Sequence, residues 1–204
     1  MPETSSPFDQ STYQVRFDWG VDGLARLAHA DVVVLVDVLG LSAAAIEAVE
    51  KGEQTATDAA PAAAALVEAA AQSGAVVVVG GLRNAGAVAA EVLAAQERRA
   101  ARASVAVIAA GKPAEGGTRF AVEDLLGAGA VIDALSDRGI DHSSPEAAVT
   151  GESFRGLRRA TRHLLTASGS GRALQGRVDL LHAAAAVDAS TAVPVLRHGA
   201  FTAA

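Results

Sequence analysis

Two hydrophobic patterns alternate along the chain. One is a short, nearly unbroken apolar run: "DVVVLVDVL" (Asp31–Leu39), "AVVVV" (Ala75–Val79) and "SVAVIAA" (Ser104–Ala110). Runs of this length and β-branched content predict strands buried on both faces of a parallel sheet. The other pattern is Ala-rich and helical. It predicts helices over Ser42–Val49, between Asp58 and Gly74, over Ala85–Ala100, over Val122–Leu135, from Pro145 onward and over Val178–Val187. Ser42, Asp58 and Ser144 stand where N-caps belong, and Gly52 and Gly74 where helices stop. Gly127 and Gly129 lower the helix propensity of their segment and predict close approach to a neighbour. Weaker strand signals lie at Tyr13–Phe17, at Gln54–Thr57 as an edge, and at Ala192–Leu196, where Pro194 also predicts an edge.

Strands alternating with helices predict an α/β fold, a mostly parallel sheet with helices on both faces in three layers. With no internal repeat or linker, residues 13–204 form one domain, preceded by a flexible tail over residues 1–12.

Composition narrows the chemistry. Aromatics make up only 3 % of the 204 residues, so the core must rest on Val, Leu, Ile and Ala. A net charge of −6 without a basic run argues against a nucleic-acid partner. The absence of cysteine excludes disulfides and thiolate metal sites. The amino-terminal "MPETSSPFDQST" has no secretory pattern, and Asp37 splits the best apolar stretch, so no membrane association and a cytoplasmic location are expected. The Ala-rich helices would also pack well in a homodimer.

Asp37 interrupts an otherwise buried strand near its carboxyl end, where ligands gather in open sheets. It could hold Mg²⁺ or attack a phosphoryl group; its plain structural role would be pairing with a cation or capping a turn. "GGLRN" (Gly80–Asn84) also follows a strand. The helix start after Asn84 could bind an anion and Arg83 could add a bidentate contact, although the same residues also make an ordinary capping turn. Their spacing fits neither a dinucleotide fingerprint nor a P-loop. "GKPAEGGTRFAVED" carries loop-borne Lys112 and Arg119, then Glu123 and Asp124 in a first helical turn, where acids also complement the helix dipole. One of these acids could share a hard cation with Asp37. "SGSGR" (Ser168–Arg172) could cradle an oxyanion or simply turn between helices, and the basic stretch Arg155–His163 reads as a solvated face. No histidine spacing suits zinc, and no G-x-S-x-G elbow occurs.

In order and spacing, "FDWG", "DVVVLVDVL", "GGLRNAGAVA", "VEDLLGAGAVIDAL", "SGSGRALQG" and "VDLLHAAAAVDASTAVPVL" resemble the 2-phosphosulfolactate phosphatase (ComB-like) family of coenzyme M biosynthesis, from Val15 to Phe201. The resemblance implies Mg²⁺-dependent hydrolysis of a small anionic phosphate ester that also carries carboxylate and sulfonate. Asp37, Glu123 and Asp124 would be catalytic, with Asp37 and Glu123 as metal ligands. Arg83, Asn84, Lys112, Ser168 and Arg172 would orient substrate oxygens. The chain departs from the family pattern in two places. Gly40, Leu41 and Ser42 stand where an Arg and a Thr-rich turn are usual, and an Asn-Gly-Thr loop ahead of "GGLRNA" is missing. A homologue without catalysis, acting as an oxyanion-binding or assembly module, is the competing expectation.

Overall fold

A computed structural model describes residues 6–174 and 176–204. Its strands are β1 (Val15–Trp19), β2 (Val32–Val36), β3 (Thr55–Ala56), β4 (Val76–Val79), β5 (Val105–Ala109), β6 (Lys112–Ala114), β7 (Gly117–Arg119), β8 (Pro194–Arg197) and β9 (Ala200–Ala203). Its helices are α1 (Gly20–Arg26), α2 (Leu41–Glu50), α3 (Ala64–Gln72), α4 (Ala85–Arg99), α5 (Val122–Ser136), α6 (Pro145–Leu157), α7 (Thr161–Ala167), α8 (Gly169–Ala173) and α9 (Val178–Ala184).

Seven strands form one sheet in the order β1-β5-β2-β4-β8-β9-β3. β1, β5, β2 and β4 are mutually parallel, and β8, β9 and β3 continue the sheet antiparallel. The α/β class and the parallel core agree with the hydrophobic pattern; the sheet as a whole is mixed. Every residue of β2 and β5 is buried, because these strands are interior and covered on both faces. Alternation then divides their side chains. Val32, Val34 and Val36 join a cluster with Val88 and Val92 of α4, Leu126 and Val131 of α5, and Phe154 of α6. Val33 and Leu35 join a second cluster with Ala45 of α2, Leu66 and Val67 of α3, and Phe201 of β9. Helices therefore cover both faces, giving three layers.

Glycine lets α5 sit where it does. A Cβ on Gly127 would lie 2.4 Å from Val38 Cγ2, and one on Gly129 would lie 2.4 Å from the Thr150 carbonyl oxygen of α6. Both are inside any tolerable contact, so α5 reaches the end of β2 and its neighbour helix only because these positions carry no side chain.

Several local expectations need correction. Pro194 does not mark an edge: β8 lies between β4 and β9, and the proline is tolerated as the strand's first residue. Asp58 caps nothing; a 3-10 turn over Pro61–Ala63 leads into α3 instead. Ser42 is inside α2, whose N-cap is Gly40. Ser144 does cap α6, accepting the Ala147 N–H at 3.1 Å with Pro145 at the first position. Of the expected flexible tail, residues 1–5 lie outside the described residues, as does Gln175 of "SGSGRALQG". Residues 9 and 10 are tied to the domain. Ala28 N–H donates to the Asp9 carbonyl, and the buried Gln10 amide exchanges two 3.0 Å hydrogen bonds with the Phe17 backbone. Among the described residues no helix is long and apolar enough to cross a membrane.

Candidate active site

The chain reverses at the carboxyl end of β2, and this turn builds the Asp37 environment. Gly40 N–H and Ser42 N–H donate to the Asp37 carbonyl at 3.1 and 2.9 Å, closing the turn into α2. The Asp37 side chain accepts the Leu41 N–H at 2.9 Å through Oδ2 and Lys112 Nζ at 3.0 Å through Oδ1. The carboxylate is 2 % exposed, so the ion pair is largely shielded from water. Ser42 belongs to the same turn: its hydroxyl accepts the Asp37 N–H at 3.1 Å and donates to the Gly80 carbonyl at 2.7 Å, joining the ends of β2 and β4.

Asp124 clamps this arrangement from α5. Its Oδ1 accepts the N–H of Val38, the residue after Asp37, at 2.8 Å. Its Oδ2 accepts the N–H of Gly111, the residue before Lys112, at 3.0 Å. One fully buried carboxyl group thus sets the spacing between the two backbones that carry the Asp37–Lys112 pair. Burial first, and the charge of Asp37 second, push its pKa well above the ordinary carboxylate value. Burial works against the Lys112 charge, but Asp37 and Asp124 outweigh it and raise the lysine above its usual value.

Glu123 is 1 % exposed, and its Oε1 has no hydrogen-bond partner among the described residues. It stands one residue before Asp124 at the start of α5, and its charge acts on both Lys112 and Asp124. Among the described residues no three Asp, Glu or His side chains are arranged to hold a metal by themselves. The orphaned, buried Glu123 oxygen nevertheless suits a hard cation that keeps most of its water, because such an ion needs only one or two carboxylates.

The other expected ligands have different occupations. Arg83 donates through Nη2 to both carboxylate oxygens of Glu50 on α2, at 2.9 and 3.1 Å. Asn84 is fully buried and donates to the Val79 and Ala192 carbonyls at 3.1 and 2.9 Å, tying β4 to the chain before β8. The amino end of α4, expected to receive an anion, is taken by Asp188, whose Oδ1 accepts the Gly86 N–H at 2.7 Å. Ser168 caps α8: it accepts the Gly171 N–H and donates to the Leu165 carbonyl, both at 2.9 Å. Arg172 is exposed on the same short helix. The "SGSGR" segment does reach the site, but through Gly169 and Ser170, which share a cavity of about 340 Å³ with Lys112.

The hairpin of β6 and β7 did not emerge from the hydrophobic pattern. Trp19 and Phe120 pack at its base with ring centroids 5.3 Å apart. Glu115-Gly116 between two short runs was the one local turn signal for it. Ser42, Glu50 and Asp188 had no local signal as partners.

The fold and this cluster define an α/β protein whose buried charges gather beyond the carboxyl ends of β2 and β5, where open sheets place ligand sites. Residues 50–199 match the 2-phosphosulpholactate phosphatase family, and the chain belongs to that family of phosphatase-type hydrolases. The matched stretch contains Lys112, Glu123 and Asp124 and begins after Asp37. No curated protein matches the chain.

Proposed function

We propose that the chain hydrolyses a small anionic phosphate monoester with the help of Mg²⁺, the reaction for which its family is named. The observation that carries this reading is the Asp37–Lys112 pair, clamped by Asp124, with an unpartnered buried oxygen on Glu123, the residue before Asp124 in α5. Asp37 and Glu123 are the residues that would hold the cation. When bound, it neutralises charge on the phosphoryl oxygens. Lys112 directs a substrate oxygen toward the cluster, and Asp124 positions the groups on either side through its two backbone hydrogen bonds. The depth of Asp37 favours holding a cation over in-line attack on phosphorus.

The test is phosphate release over a panel of small phosphoesters, with and without Mg²⁺. Release that needs Mg²⁺, disappears in Asp37→Asn and survives in the exposed-residue control Glu47→Gln is the expected result. A folded protein that releases phosphate from none of the esters, and whose melting point does not respond to Mg²⁺, would overturn the proposal.

The competing reading, a homologue without catalysis, draws support from one observation. Arg83 and the α4 amino end already hold Glu50 and Asp188, so two expected anion contacts are satisfied internally. The same assay decides between them: oxyanion binding without turnover would favour the binding or assembly module.

A further inference from the structure

The hairpin register places Lys112 directly opposite Arg119. Residues opposed in an antiparallel ladder send their side chains to the same side, and like charges there repel. Asp37 compensates Lys112. Arg119 is exposed and has no hydrogen bond or ion pair among the described residues. Both cations line the same cavity of about 340 Å³ with Leu39, Gly169, Ser170 and Leu174, and among the described residues no acidic side chain lines it. The guanidinium lies against the backbone at Gly169, where a Cβ would sit 3.5 Å from Nη1 and 3.6 Å from Nη2. A repelling pair, one member uncompensated, facing a cavity without acids is a site for an anion.

We infer that Arg119 is a specificity-determining residue that binds a second, non-reacting anionic group of the phosphate ester, a carboxylate or sulfonate. That the ester is a substrate rests on the phosphatase reading; the anion site itself does not. Asp37 holds Lys112 on its own side, and Arg119 stands across the hairpin against the backbone at Gly169. Its planar fork matches two oxygens of one carboxylate or sulfonate, which a lysine cannot do. Leu39 and Leu174 reduce competition from water, and Ser170 adds a hydroxyl at the wall.

Two measurements test this on the full chain. The first compares kcat/KM for a phosphate ester bearing a carboxylate, phosphoglycolate, with that for ethyl phosphate, which lacks one. Arg119→Gln lowers the ratio about tenfold to a hundredfold, mainly through KM, as expected for a lost charge-assisted pair. Arg119→Lys restores part of it. The second is calorimetric binding of sulfoacetate, which carries no phosphate. The wild type binds it and Arg119→Gln binds it at least tenfold more weakly. If no ester is hydrolysed, the phosphatase reading fails, and the sulfoacetate experiment alone decides the anion site. An unchanged selectivity ratio, or sulfoacetate binding equal in the two proteins or absent from both, overturns the assignment of Arg119.

Discussion

Replacing Asp124 removes the clamp between the two backbones of the site. In Asp124→Ala, the buried N–H groups of Val38 and Gly111 both lose their acceptor. Each such group left unsatisfied costs about 1–3 kcal/mol, so the pair costs about 2–6 kcal/mol. The substitution also relieves the burial of Asp124 and its repulsion with Asp37, which draws the net loss toward the lower end. Asp124→Asn keeps one carbonyl acceptor and loses about half as much. For a domain of this size one kcal/mol moves the melting point by about 2–4 °C. Asp124→Ala is therefore expected to melt roughly 4–20 °C below the wild type, with Asp124→Asn between them. Thermal unfolding followed by circular dichroism measures the order. Amide exchange identifies the cause, because Val38 and Gly111 should lose protection before the centres of β2 and β5. An Ala variant melting within about 2 °C of the wild type would show that Asp124 does not carry the clamp.

Stability should also fall as pH rises above about 4, the ordinary Asp value. Asp124 has its folded-state pKa raised, so the folded chain binds more protons; the stability this contributes is present below the unfolded pKa and lost as pH rises through the folded one. Melts between pH 4.5 and 8 should slope downward in the wild type and flatten in Asp124→Asn; equal slopes would contradict the assignment. At Gly40, an added Cβ would stand 2.1 Å from Asp37 Oδ2, so Gly40→Ala must move that carboxylate. A displacement of about 1 Å at a reacting centre can cost on the order of a hundredfold in rate, and phosphate release in Gly40→Ala within twofold of wild type would refute the role given to Asp37.

The parts of the fold visible in the sequence are those whose burial dictates their pattern. β2, β4 and β5 read as strands because interior parallel strands need nearly unbroken apolar runs. Gly127 and Gly129 signalled close packing because their cost within a helix requires a reason. The β6–β7 hairpin was hidden: each strand has three residues, β7 is wholly exposed, and contacts from Trp19, Gly20 and Gly111 position it. The same division holds at the site. Asp37 stood out because a carboxylate in an apolar run needs a partner, and Lys112 and Asp124 stood out by their places beside strand and helix ends. The pairing of Arg83 with Glu50 and the capping of α4 by Asp188 join residues 33 and 102 positions apart, which no local pattern encodes. Adjacency in sequence was equally uninformative for Glu123 and Asp124: the docking angle of α5 gives one carboxyl two backbone donors and leaves an oxygen of the other with none.

These pairings shift the electrostatic centre of the site. With Arg83 and the α4 amino end satisfied internally, the cations facing the cavity beside Asp37 are Lys112 and Arg119, both on one hairpin. Asp37 pairs with Lys112, and the charges of Asp124 and Glu123 act on the same ammonium. A phosphate dianion brought there finds the Lys112 charge already paired, in a setting that screens charge poorly. A cation held by Asp37 and Glu123 would supply the missing positive charge, and Arg119 would add attraction across the hairpin from Lys112. The proposed Mg²⁺ and the proposed role of Arg119 thus answer one electrostatic need: Asp37 takes up the charge of Lys112, so an anion bound beside it draws its positive charge from an added cation and from Arg119.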